Sequence, residues 1–157
     1  MQQAVAGFVG GASRVTDLFA GCGTLGLPLL KGLSKLTAAE SDTAALAAMK
    51  AAVDAAGLGA RLDCIEADLM RAPLTADLFG DVEAVIIDPP RAGASAQCEI
   101  LATTAVPAIA MVSCNPASFA RDAAILVAGG YRLTSLQIID QFRFSSHVEI
   151  VAGLERG

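Results

Sequence analysis

Two apolar runs, Val82 to Asp88 (VEAVIID) and Ala108 to Ser113 (AIAMVS), constrain the fold of this chain more than any other feature. A strand with one wet face alternates apolar and polar residues, whereas a near-continuous apolar run belongs to a strand covered on both faces. Between the two runs lies a helical stretch, Ala96 to Thr104. Strand, helix, strand in that order is the unit from which parallel sheets are built.

The alternation extends toward both ends. Arg14 to Phe19 (RVTDLF) reads as a first strand, Leu25 to Leu33 as a helix with Pro28 in its first turn, and Leu36 to Glu40 as a second strand. Thr43 to Ala56 is an alanine-rich helix stopped by Gly57, and Arg61 to Ala67 is a third strand. Beyond the second apolar run, Pro116 opens a helix through Val127 that Gly129-Gly130 ends. Arg132 to Asp140 and His147 to Leu154 then read as an antiparallel pair. The expectation is an α/β, Rossmann-like chain: a mostly parallel, doubly wound sheet with an antiparallel C-terminal hairpin on one edge.

The 157 residues are enough for one domain with one core. Apolar residues make up 54% but aromatics only 4%, so Ala, Leu, Val and Ile must fill that core. No apolar run reaches the ~18 residues of a membrane span, and no basic-then-apolar leader opens the chain, which makes the cytoplasm the default location. Met1 to Val9 reads as the tail of a helix with no cap before it, as if residues 1–157 were one domain of a longer protein. Cys22, Cys64, Cys98 and Cys114 are spread without a C-x-x-C, which argues against a metal site and a disulfide framework. The net charge of −5 adds a limit, because nucleic-acid binding draws on cationic surface. Either the partner is not nucleic acid, or its phosphates are held elsewhere.

Gly21-Cys22-Gly23-Thr24-Leu25-Gly26 matches G-x-G-x-x-G directly after the first strand. Glu40 ends the second strand, where a carboxylate can accept both hydroxyls of a ribose. A nicotinamide dinucleotide would need a second mononucleotide half, and no later phosphate loop supplies one. Asp17, close to the glycines, suits a cation better than a pyrophosphate. S-adenosylmethionine, with its amino group and sulfonium, is the expected ligand. Asp68, at the end of the third strand, fits either an acceptor for the adenine amino group or a cap before Leu69.

Asp88-Pro89-Pro90 ends the fourth strand on the edge where open α/β sheets bind ligands. The prolines stiffen that exit beside a carboxylate, and such D/N-P-P motifs are shared among methyltransferases acting on planar bases. Cys114 ends the fifth strand on the same edge, just before the helix opened by Asn115-Pro116. A helix N-terminus favours negative charge, which a thiol nucleophile needs. Cys22, Cys64 and Cys98 are assigned to packing or loops. Glu149 follows in His147-Val148-Glu149, a second carboxylate for proton transfer, with His147 an orienting or core residue.

On DLFAGCGTLGLPLL (Asp17 to Leu30), IIDPPRAG (Ile86 to Gly93), SCNPASFARD (Ser113 to Asp122) and DQFRFSSHVE (Asp140 to Glu149), the chain resembles the S-adenosylmethionine-dependent RNA uracil-5-methyltransferases. The resemblance covers nearly the whole chain but only that family's C-terminal catalytic domain. It implies a class I methyltransferase fold and formation of 5-methyluridine in tRNA or rRNA. It makes Cys114 the nucleophile, Glu149 the base, and Asp88 a group between cofactor and flipped base. Phe19, Thr24, Glu40 and Asp68 fall on cofactor-contact positions, beside the turn made by Gly21 and Gly23. The closing motif often runs D-x-F-P-x-T-x-H-x-E, and here Arg143 stands for the Pro and Ser145 for the Thr. The family's upstream cofactor loop and RNA-binding domains have no counterpart in these residues, so RNA is expected to bind this piece weakly. Two rival readings remain: a module that binds S-adenosylmethionine without turnover, and a cytosine-5 RNA methyltransferase.

Overall fold

The computed structural model of the protein describes residues 1–140 and 148–157. His147, Arg143 and Ser145, and with them most of the closing motif, lie outside the described residues. The order of elements is α1 (Gln2–Val9), β1 (Arg14–Leu18), β2 (Lys35–Glu40), α2 (Thr43–Ala55), β3 (Leu62–Glu66), β4 (Ala84–Ile87), α3 (Ser95–Thr103), β5 (Ala108–Ser113), α4 (Pro116–Ala128), β6 (Tyr131–Ile139) and β7 (Glu149–Arg156).

All seven strands join one sheet in the order β3-β2-β1-β4-β5-β7-β6. The pairs among β1 to β5 are parallel, while β7 is antiparallel to both β5 and β6. This is the expected α/β architecture, with one refinement: β7 slots inside, leaving β6 at the rim. The sheet is covered on both faces, as its apolar strands require. Ala84 and Ile86 of β4 pack on one side with Val5, Val9, Leu46 and Met49, from α1 and α2. Val85 and Ile87 pack on the other with Cys98, Leu101, Phe119 and Leu126, from α3 and α4. Among the described residues no helix is long and apolar enough to cross a membrane.

The stretch Leu25 to Leu33 departs from expectation. It forms turns around a short 3-10 helix, Leu27–Leu29, rather than an α-helix. Pro28 has no N–H to give, and the Thr24 carbonyl that it would have met accepts instead from Gln2 Nε2 at 2.9 Å. The bonds that follow span three residues rather than four: Leu29 to Gly26, Leu30 to Leu27 and Gly32 to Leu29. Glycines at 26 and 32 further weaken the case for a regular helix.

Candidate active site

Because β1 to β5 run parallel, the residues that follow them emerge along one edge of the sheet. Phe19 leaves β1, Glu40 closes β2, Asp68 lies just beyond β3, Asp88 follows β4 and Cys114 follows β5. β7 runs the other way, so its first residue, Glu149, arrives at this same edge. Ser113 pairs with Ile150, which sets Cys114 and Glu149 beside one another one step further out.

A cavity of about 310 Å³ opens at this edge, lined by Phe19, Glu40, Ser41, Asp68, Asp88 and Pro90, with Leu69 and Met70 adding apolar wall. Phe19 leaves its strand with a φ of 60°, a conformation that a bulky residue keeps only when its surroundings hold it there. Glu40 is fixed by four donors. Its Oε1 accepts from Ser41 N (2.7 Å), Ser41 Oγ (3.0 Å) and Asp42 N (2.9 Å), and its Oε2 from Gly21 N (2.9 Å). Burial works to raise its pKa, but the bonds from Asp42, Gly21 and Ser41 outweigh it and hold the carboxyl below its ordinary value. A carboxylate oxygen has about two acceptor positions, so Oε2 keeps one for a ligand. Asp68 lines the cavity and also accepts from Met70 N at 3.1 Å, so it both caps the turn and faces the space.

Asp88 joins the cavity to the Cys114–Glu149 corner. Burial first, and the charge of Glu149 second, push its pKa up to about 6. Asp17 lies deeper, fully buried in β1, and accepts from Gly26 N at 3.0 Å. Burial drives its pKa up to about 7; the Gly26 bond opposes this, and the charges of Asp88 and Glu40 add to it. Position 26 must be glycine for this contact, since a Cβ there would stand 2.6 Å from Asp17 Oδ2. The cavity offers what a nucleoside would need: Glu40 as acceptor for hydroxyls, Asp68 as acceptor for an amine, and Phe19, Leu69 and Met70 as apolar wall for a ring.

Cys114 is half-buried, one residue before Asn115, which caps α4 by accepting from Ala117 N at 3.1 Å. Asn115 also donates from Nδ2 to the Arg91 carbonyl at 3.0 Å, linking this helix to the loop after Asp88. Of the expected site residues, Phe19, Glu40, Asp68 and Asp88 line the cavity, whereas Cys114 and Glu149 stand at the same sheet edge outside its lining. Gly21 and Gly23 shape the turn rather than the wall: Gly21 holds Glu40, and Gly23 N donates to the Ala20 carbonyl at 2.8 Å. Thr24 stands apart, beside Gln2 and Leu25 in a separate hollow. Asp17, expected beside a cation at the glycine turn, is instead buried beneath it and outside the cavity lining, while Ser41 and the bracing role of Asn115 had no place in the sequence reading. A serine directly after Glu40 was the available signal for Ser41. Cys22 and Cys64 are exposed and Cys98 is buried, away from this corner.

The chain is similar to known proteins in both sequence and fold. A family model described as tRNA (Uracil-5-)-methyltransferase matches residues 75–156. A relative from Rhizobium meliloti (strain 1021), described as an RNA methyltransferase, is 46% identical over 157 residues, covering 99% of this chain and 37% of its own length. The 23S rRNA (uracil(1939)-C(5))-methyltransferase RlmD of Halomonas elongata is 38% identical over 145 residues, covering 91% of this chain and 30% of the relative. The crystal structure of the Pyrococcus abyssi tRNA (uracil-54, C5)-methyltransferase in complex with S-adenosyl-L-homocysteine matches with a TM-score of 0.81 and 29% identity, covering 98% of this chain and 36% of that one. The chain thus spans well under half the length of the relatives it matches. A family model that covers Asp88, Cys114 and Glu149, on a sheet that gathers them at one edge, makes the assignment: the chain belongs to the tRNA (uracil-5-)-methyltransferase family.

Proposed function

We propose that this chain is the catalytic domain of an RNA methyltransferase that moves a methyl group from S-adenosylmethionine to carbon 5 of a uridine in tRNA or rRNA. The observation that carries the reading is the corner itself. The strand register puts Cys114 and Glu149 at neighbouring positions, and Asp88 lines the nucleoside-sized cavity while feeling the charge of Glu149. The family, and the uracil-C5 activities in the names of two of the matched proteins, support the same chemistry.

Glu40, Asp68 and Phe19 would hold the cofactor against the turn of Gly21 and Gly23. Once bound, S-adenosylmethionine supplies an electrophilic methyl group. Carbon 5 of uracil is too weak a nucleophile to take that methyl unaided, and the ring must first leave its stack to reach a half-buried thiol. The Cys114 thiolate adds to carbon 6, forming an S–C bond, and the carbon 5–carbon 6 π pair moves toward carbon 5 and the adjacent carbonyl. Carbon 5 then bonds to the methyl carbon as the methyl–sulfur bond of the sulfonium breaks, its electron pair staying on the departing sulfur. Glu149 removes the remaining proton from carbon 5, the C–H pair restores the double bond, and the S–C bond breaks to return the thiolate. Asp88 is placed to hydrogen-bond the cofactor, the base or both.

The test is transfer of labelled methyl from S-adenosylmethionine to uridine-containing RNA, read as 5-methyluridine. Cys114→Ala should abolish transfer while leaving cofactor binding intact. RNA carrying 5-fluorouridine has no carbon-5 proton to lose, so it should leave a stable adduct on the peptide containing Cys114. Transfer that survives Cys114→Ala, or label on cytidine instead, would sink the reading.

A further inference from the structure

The loop between β4 and α3 is held by α4. Residues Arg91 to Ala94 belong to no helix or strand; Gly93 N finds the Pro90 carbonyl and the Ala94 carbonyl finds Cys98 N, and other peptide groups take partners from further away. Three of these come from α4 and its cap. Asn115 Nδ2 donates to the Arg91 carbonyl (3.0 Å), Arg121 Nη2 donates to the Ala92 carbonyl (2.8 Å), and Ala94 N donates to Asp122 Oδ2 (2.6 Å). The Asp122 carboxylate is fully buried, and its other oxygen accepts from Arg121 Nε at 2.8 Å and Nη2 at 2.6 Å. Gly93, between the gripped peptides, has a φ of 79°, and a Cβ there would run into Asp122, Arg121 and Ser118. On the nucleophile's side, Ser113 Oγ donates to the Asn115 carbonyl (3.1 Å) and accepts from Asn115 N (3.2 Å), bracketing Cys114.

The pair joins a buried carboxylate to a half-exposed guanidinium, and the ion pairing itself contributes little net stability. What Arg121 and Asp122 supply is fixed geometry for peptide groups that apolar side chains could not bond. We propose that Arg121 and Asp122 are positioning residues, which clamp the loop carrying Asp88 to the helix that carries Cys114 so that the two keep one register. The inference rests on reading Cys114 as the nucleophile. Neither residue touches substrate; both act through the loop.

The test compares Asp122→Asn, Arg121→Ala and Arg121→Lys with the parent protein in two measurements. In methyl transfer at saturating substrates, Asp122→Asn and Arg121→Ala should lower kcat by about tenfold to a hundredfold while the cofactor Kd changes by less than about twofold, since displacement by an ångström at a reacting centre costs that much. Arg121→Lys should recover part of the loss, because it restores the charge but not the fork. In amide exchange of the folded proteins, Gly93 and Ala94 should exchange faster in Asp122→Asn, with the β4 and β5 amides unchanged. Unchanged kcat, or a loss that tracks cofactor release, would overturn the clamp. Should the parent protein not methylate uridine, the functional reading fails, and the exchange data still decide the clamp: unaltered exchange at Ala94 overturns it.

Discussion

Each of Glu40's two carboxylate oxygens has a different task. Oε1 is committed to three donors that shape the end of β2, and Oε2 faces one donor with capacity to spare. Glu40→Gln should therefore weaken S-adenosylmethionine binding about tenfold in calorimetry, through lost charge-assisted bonds, with little change in fold. Glu149→Gln addresses the opposite end of the proposed reaction. Addition of Cys114 and methyl transfer need no base, so this variant should accumulate a covalent RNA–protein species that the parent resolves, visible as a shifted band under denaturing conditions. The placement of Asp88, Cys114 and Glu149 at strand ends was legible because each motif adjoins an apolar run. For Asp17 only the nearness to the glycines was legible: its burial and its bond to Gly26 arise only when the turn folds back over β1.

Among the elements, the strands were the most readable, since unbroken apolar runs ending in Asp88 and Ser113 leave little choice once both faces are covered. Their ends were less so: β1 stops at Leu18 because Phe19 turns left-handed, a choice that no propensity signals. The leucines of residues 25–33 gave a helical rhythm, but rhythm reports which side is buried, not which hydrogen bonds close. Pro28 and the glycines decided that. The turn's tightness has a cost that is measurable at Gly26, where an added methyl would meet Asp17 Oδ2 at 2.6 Å and both δ-carbons of Leu36 at 3.2 Å. Gly26→Ala should destabilise the chain by about 1–3 kcal/mol in denaturant unfolding and displace the Asp17 contact. The N-cap of α2 offers a milder comparison. Asp42 Oδ1 accepts from Ala44 N (2.9 Å) and Ala45 N (3.1 Å), and Asp42→Ala should cost about 1 kcal/mol.

Across the whole molecule, acid is gathered at the ligand edge, and this gives stability a pH slope of definite sign. Asp17 and Asp88 have folded-state pKa values raised to about 7 and about 6 from an ordinary 3.8. The folded chain therefore binds more protons than the unfolded one between these values, and the stability present below the ordinary pKa is lost as pH rises through the folded one. The thermal midpoint of the ligand-free chain should fall between about pH 5 and pH 7.5, and Asp17→Asn should flatten much of that slope. A cationic ligand works against the same groups, so affinity for S-adenosylmethionine should rise over this window. The net charge of −5 acts on RNA in the other direction, and binding by the isolated chain should be weak and fall further with salt in a filter or fluorescence assay.

β7 is the last of the seven strands along the chain, yet it lies between β5 and β6. A sheet laid down strictly in order of synthesis would put its newest strand on the rim. Here β5 keeps an open edge and β6 has no partner until β7 arrives. The same residues bring in Glu149, the carboxylate proposed as the base. Under the proposed mechanism, completing the sheet and completing the catalytic set coincide, so a chain cut before β7 should transfer no methyl group.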